Sequence, residues 1–239
     1  MTAGIRQYPR VFESPVFRAR GLSDHDRALL TELGFVTKEY PAQRTIMHQG
    51  DSEDRTLIVQ SGWGCLCNDL ADGERQIADL ALPGDVVGLR VDQGESHKSV
   101  ISLTDMVVFE ARAKAVTRAL GHSEKLAAVF FWAMSRQRAI LIEHMTNLGR
   151  RSAAVRTGHF LLEIRARLQG AGIDAHRGYE CPLTQYDLAD ALGLTAIHVN
   201  RMLRELREQG FLSFRHGRVE FFDPEGLAAF CGFDPCYLR

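Results

Sequence analysis

Ile197, Asn200, Arg201 and Arg204 fall on one side of a helical wheel, and Val199, Met202, Leu203 and Leu206 fall on the other. The first set carries chemistry. A guanidinium such as Arg201 presents a fork of donors that suits the O6 and N7 acceptors of guanine. The amide of Asn200 suits adenine, and Ile197, with no hydrogen bond to give, suits a thymine methyl. Thr195, Ala196 and His198 open the same helix, where such motifs meet base edges. Thr184 and Gln185 at the preceding helix start, and Arg215, His216 and Arg218 downstream, are placed to meet phosphates. From 195 to 218, five arginines stand against Glu205 and Glu208, so this stretch is locally basic. The competing reading is an ordinary three-helix unit with a solvated arginine face.

These side chains need a scaffold, and its signals are local. Thr184 and Asp187 form a capping box that opens a short helix with Leu188, Ala189 and Leu192 on its inner face. Gly193 makes the corner, Thr195 caps the next helix, and Leu194 turns inward. Runs at 211–214 and 218–222 flank His216-Gly217, a hairpin signal, and a helix over 153–168 closes at Gly170-Ala171-Gly172. Short helices followed by a hairpin make a winged helix-turn-helix.

Upstream, 123–148 lacks Pro and Gly, begins at the capping residue Ser123 and is expected to end at Gly149. This would be a helix of about 39 Å at 1.5 Å per residue. It has two apolar stripes, one of Leu126, Phe130, Ala133, Gln137 and Ile140, the other of Phe131, Met134, Leu141, Met145 and Leu148. One is expected to pack on its own barrel and the other on a second copy of the chain, with the Leu126–Ile140 stripe expected at the dimer seam. Burial inside one larger domain is the alternative. Before it, short apolar runs at 45–47, 57–60, 64–70, 76–82, 86–88, 99–103 and 106–109 alternate with glycine turns, among them Asp72-Gly73 and Pro83-Gly84-Asp85. Many short strands at this spacing predict a barrel, preceded by an amphipathic helix over 23–33. The expected class is α+β: an N-terminal β jelly-roll barrel (1–120), a long dimerisation helix (121–149) and a C-terminal winged helix-turn-helix (150–239).

Composition narrows the classes further. Apolar residues are 45% and charged residues 25%, with a net charge of −1, so bulk charge alone cannot drive nucleic-acid binding. No apolar run approaches the roughly 20 residues a membrane span needs, and no secretory signal is visible. Five cysteines without a CxxC pair read as reduced thiols in a cytoplasm. Cys65 and Cys67 share one strand face, as buried small hydrophobes or as a redox or metal-ligand pair. Cys231 and Cys236 are weaker redox candidates. No Ser-His-Asp set or carboxylate pair can be argued, so no catalytic residue is assigned. A cupin-type metal site needs His-x-His plus Glu and a further His, which are absent, so no metal ligand is assigned either. The remaining competitor is a small-molecule- or metal-binding jelly roll whose helical end docks protein rather than DNA.

In the order barrel, long helix, winged helix, the chain resembles the Crp/Fnr family of bacterial transcription regulators. Leu183-Thr-Gln-Tyr-Asp-Leu-Ala-Asp-Ala-Leu-Gly-Leu-Thr-Ala-Ile-His-Val-Asn-Arg201 is similar to the family's helix-turn-helix signature. Met47-His48-Gln49-Gly50-Asp51 and Pro83-Gly84-Asp85-Val86-Val87-Gly88 are similar to its barrel loops. The resemblance implies a homodimer on duplex DNA, two recognition helices in successive major grooves of a near-palindromic site, and contact with RNA polymerase. Two departures matter. Ile197 stands where an acidic residue often reads a C·G pair, so a changed half-site is expected, with guanine kept opposite Arg201. In the barrel, the family's effector cassette maps onto Gly88, Leu89, Arg90, Lys98 and Ser99. There Leu89 replaces the glutamate that accepts the ribose hydroxyl, and Lys98 replaces an arginine without its bidentate fork. Weak or absent cyclic AMP binding is expected. Residues 1–40 contain no Cys, so the family's N-terminal iron–sulfur motif is missing. Haem sensing would draw on His48, His97 or His122 by position only, and no cofactor is assigned.

Overall fold

Period-two alternation builds the N-terminal half. A computed structural model describes residues 11–18, 20–52, 54–89 and 94–239, so Arg90 of the expected effector set lies outside the described residues. The strands are β1 (Val36–Tyr40), β2 (Thr45–Met47), β3 (Arg55–Ser61), β4 (Gly64–Asp69), β5 (Arg75–Ala81), β6 (Val86–Val87), β7 (Ser99–Ser102) and β8 (Met106–Arg112). They form two four-stranded antiparallel sheets, ordered β1-β8-β3-β6 and β2-β7-β4-β5. Leu57 and Val59 of β3 and Leu66 of β4 point between the sheets, where Ile46, Met47, Val87, Val100, Met106 and Val108 complete a buried core.

Alternate residues serve two further cores. Ile58 of β3 and Phe109 of β8 face outward, under the helices α1 (Pro15–Arg18), α2 (Asp24–Glu32), α3 (Ala113–Leu120) and α4 (Glu124–Arg150). Cys65 and Cys67 of β4 and Ile77 and Leu80 of β5 face the C-terminal unit and share a core with it. That unit contains α5 (Ala153–Gly170), β9 (Gly178–Glu180), α6 (Gln185–Leu192), α7 (Ala196–Glu208), β10 (Leu212–Arg215), β11 (Arg218–Phe221) and α8 (Pro224–Cys231), then a single 3-10 turn (Pro235–Leu238). Its sheet runs β10-β11-β9, so the wing has a third strand beyond the expected hairpin.

Two expectations for α4 change. The helix runs through Gly149 to Arg150, and extended backbone at Arg151 ends it. Ser152 then accepts a hydrogen bond from Val155 N and starts α5. The expected dimer stripe of Leu126, Phe130, Ala133, Gln137 and Ile140 instead packs within the chain. Leu126, Phe130 and Ile140 are buried, while Ala133 and Gln137 are half-buried. The reason is the outward face of the β1-β8-β3-β6 sheet, whose apolar residues need a lid and find it in Leu126, Val129 and Phe130. The other stripe is left uncovered: Phe131 is 62% exposed and Met145 67%, with Met134, Leu141 and Leu148 beside them.

Candidate nucleic-acid interface

The corner between α6 and α7 is fixed by its own chemistry. Thr184 Oγ1 accepts from Asp187 N, and Asp187 Oδ2 accepts in return from Thr184 N at 2.9 Å. Gly193 adopts φ +58°, the left-handed conformation that a glycine takes without strain, and a Cβ there would press on the Leu148 side chain at 3.0 Å. Thr195 Oγ1 then accepts from His198 N and caps α7. With Val199, Met202, Leu203 and Leu206 buried, the opposite face of α7 is turned to solvent.

On that face the expected residues converge. Ile197 is 84% exposed, Asn200, Arg201 and Arg204 are exposed, and Ala196 and His198 are half-buried. Arg201 has no ion-pair or hydrogen-bond partner among the described residues, so its full fork is available to a ligand. Arg204 is bonded to Glu208 at 2.8 Å on the same helix. Asn200 donates from Nδ2 to Gln185 Oε1 at 2.6 Å, which ties the start of α6 to α7. Sequence reasoning placed Asn200 on this face and Gln185 at the preceding helix start, but missed their bond, because 15 positions separate them and no pattern signals it. Tyr186, 75% exposed beside Gln185, was also missed.

The wing supplies the flank. His216 (φ +51°) and Gly217 (φ +72°) are both left-handed, which is the turn a two-residue hairpin requires. Arg215 and His216 are exposed. Arg218 is held by Glu180 at 2.6 Å and Glu220 at 3.4 Å. Both partners are solvent-exposed, and such pairs are worth little, so a phosphate can compete for Arg218.

The expected effector residues are arranged differently. Gly88 has φ +79°, and a Cβ there would run into the Arg55 carbonyl. Leu89 packs against the helical core outside the barrel, so it is an apolar contact and accepts nothing. Ser99 Oγ accepts from Gln49 N and donates to Asp69 at 3.3 Å. Lys98 is half-buried, and burial lowers its pKa. His48, His97 and His122 are all exposed.

Behind the helix-turn-helix runs a charged seam that the sequence did not disclose. Arg75 of β5 bonds Asp187 at 2.9 Å and Asp190 at 2.7 Å, so the first helix of the motif is pinned to the barrel. Gln76 adds a bond to the Asp190 carbonyl. Beneath them Cys65 and Cys67 are fully buried, and their mutual hydrogen bond, with burial, pushes the Cys65 thiol up. Deeper in the seam, Arg167 of α5 bonds Asp79 (2.7 Å), Asp85 (2.7 Å), Glu163 (3.3 Å) and the Leu80 carbonyl (2.8 Å). His144 of α4 bonds Ala78 O through Nδ1 and Glu163 Oε1 through Nε2, each at 2.9 Å. Asp79, His144 and Glu163 have the donor set for a metal ion. Arg167 Nη1 already bonds both carboxylates, so the cationic place is filled by the protein's own guanidinium.

Two histidines of this seam carry opposite shifts. Burial opposes the charge on His144, but Glu163 outweighs it and raises the pKa to about 9. Burial, helped by Arg151, lowers His159 to about 4, and Asn147 Nδ2 faces its Nδ1 at 3.2 Å. For His144, the stabilisation is complete below its ordinary value of 6.5 and is lost as pH rises towards about 9. For His159, stability is complete above 6.5 and is lost as pH falls towards about 4. Thermal unfolding is therefore expected to show its highest Tm near pH 6.5, with His159→Gln flattening only the acid limb. A wild-type Tm that climbs steadily from pH 6.5 to 9 would contradict the His144 assignment.

Residues 37–123 match the cyclic nucleotide-binding domain, and residues 155–230 match the Crp-like helix-turn-helix domain. The chain is 30% identical to the nitrogen fixation regulation protein FixK of Rhizobium meliloti, over 80% of this chain and 85% of that one. It is 32% identical to FixK of Bradyrhizobium diazoefficiens, over 87% of this chain and 89% of the relative. Among solved structures it is similar to FixK2 from Bradyrhizobium japonicum, with a TM-score of 0.73 and 27% identity, covering 82% of this chain and 96% of that one. No helix among the described residues is long and apolar enough to cross a membrane.

Proposed function

The chain belongs to the Crp/Fnr family of transcription regulators, and from that membership we propose how it meets DNA. It is a DNA-binding regulator through its helix-turn-helix. Arg201 donates to guanine, Ile197 contacts a thymine methyl, and Asn200 reads an adjacent base while leaning on Gln185. Arg215, His216 and Arg218 of the wing, with Thr184 and Gln185, hold phosphates. The observation that supports this best is an unpaired Arg201 on the open face of α7, opposite a fully packed inner face.

The regulator acts as a homodimer joined along Phe131, Met134, Leu141, Met145 and Leu148, because a long helix with this much apolar surface uncovered calls for a second copy. Two recognition helices then sit about one turn of DNA apart on a near-palindromic site, and the complex contacts RNA polymerase. The barrel, within 1–120, serves as sensor without cyclic AMP, since Leu89 is turned into an apolar core and cannot bond a ribose. The protein works in the cytoplasm, where its DNA and polymerase are.

A salt titration of DNA binding, run on wild type and Met145→Glu, tests this reading. Wild-type affinity is expected to fall steeply with salt, with a log–log slope of about −0.9 per phosphate contacted. Met145→Glu is expected to sediment as a monomer and lose at least tenfold in affinity. Salt-independent binding, or a Met145→Glu protein that remains dimeric, would overturn it.

A further inference from the structure

A cavity of about 150 Å³ opens beside the charged seam, where the barrel, α4, α5 and both ends of the described chain meet. It is lined by Arg20, Arg136 and Arg167, by Trp132, and by the Pro83-Gly84 turn and Leu238, and no Asp or Glu side chain lines it. The three guanidiniums hold donors in reserve. Arg167 is 2% exposed, and its Nε is buried with no acceptor. Arg136 spends Nε on Leu238 O and Nη1 on Asp85, which leaves Nη2 without an acceptor among the described residues. Arg20 lies 3.7 Å from the centroid of the Trp132 ring and has no hydrogen-bond acceptor there either.

Charge bookkeeping points the same way. Asp79, Asp85 and Glu163 are matched by Arg136, Arg167 and His144, so Arg20 is the surplus cation at the cavity. A buried donor left unmade is costly, and a guanidinium fork fits carboxylate and phosphate oxygens. A cavity of this volume has room for a compact anion.

We propose that this cavity is a binding site for a small oxyanion, phosphate or a short carboxylate, held by Arg20 and by Nη2 of Arg136, with the buried Arg167 guanidinium in the wall behind them. Such a ligand touches the barrel turn, the long helix and the first helix of the DNA-binding unit together. Its binding energy therefore adds to the docking of one unit on the other. The site stands without the DNA reading; only an effect on DNA affinity depends on that reading.

Calorimetry on the full chain with sodium phosphate and with sodium succinate, each against chloride at matched ionic strength, tests the proposal. Saturable binding of one or both anions is expected, and the anion that binds identifies tetrahedral or carboxylate chemistry. Arg20→Gln should weaken it at least tenfold. Arg201→Ala should leave it unchanged, which separates the cavity from anion binding at the DNA face. Ala166→Met, which fills the cavity from α5, should abolish it and serves if Arg20→Gln does not fold. No binding beyond the chloride control, undiminished binding in Arg20→Gln or Ala166→Met, or loss in Arg201→Ala would each overturn the proposal.

Discussion

Replacing Arg167 by methionine is expected to destabilise the protein by about 3–5 kcal/mol, the cost of leaving a buried charge without its partner. In a chain of this size that lowers Tm by roughly 6–20 °C. The group left behind is Asp79. Asp85 keeps Arg136, and Glu163 keeps His144 and the Tyr237 hydroxyl. Asp79 is 2% exposed and, among the described residues, keeps only a hydrogen bond from Leu80 N. Adding Asp79→Leu to Arg167→Met should therefore recover much of the loss, because it removes the orphaned carboxylate rather than restoring a contact. Arg167→Lys should not recover it, since an ammonium cannot reach Asp79, Asp85 and Leu80 O from one position. Thermal and denaturant unfolding of the four proteins decide the matter. An unchanged Tm in Arg167→Met would show that the seam contributes nothing to stability.

Arg201→Ala is the second large effect, and it falls on binding rather than on folding. Arg201 is exposed and unpaired, so its removal leaves the packing of α7 intact. Loss of a bidentate contact with guanine is expected to cost about 1–3 kcal/mol in DNA affinity, or roughly 5- to 150-fold. The salt dependence separates it from its neighbours. Arg215→Ala, which removes a proposed phosphate contact, should reduce the salt slope by about one counterion, whereas Arg201→Ala should lower affinity and leave the slope nearly unchanged. Fluorescence anisotropy over a range of salt concentrations measures both. If Arg201→Ala changed only the slope, Arg201 would be a phosphate contact and the base-reading assignment would be wrong.

What the sequence disclosed followed from the range of the interactions. The helix-turn-helix was legible because its determinants are local: Thr184 with Asp187, Gly193, Thr195, and the His216-Gly217 turn each act within three residues. The barrel was legible from repeated short apolar runs and glycine turns. Its alternation also put Cys65 and Cys67 on one face, where the structure buries both. The two stripes of α4 could be seen but not ranked. Phe130 and Phe131 are equally apolar, and only the sheet beneath α4 decides which is covered. The short elements α3 and β9 carried too little pattern to be noticed. The seam was invisible in principle, because Arg167 and Asp79 lie 88 positions apart and look in sequence like ordinary surface charges. Leu89 was legible only as an apolar residue. Its identity argued against a ribose contact, but not that it would pack outside the barrel.

Selection of bound duplexes from a random DNA pool, run in parallel with wild type and Arg201→Ala, tests base reading by α7 most directly. Wild type is expected to enrich paired, inverted half-sites about one helical turn apart, each with an invariant guanine and a neighbouring thymine, and Arg201→Ala to lose the guanine preference alone. Recovery of the same guanine by both proteins, or no enrichment by wild type, would contradict the account.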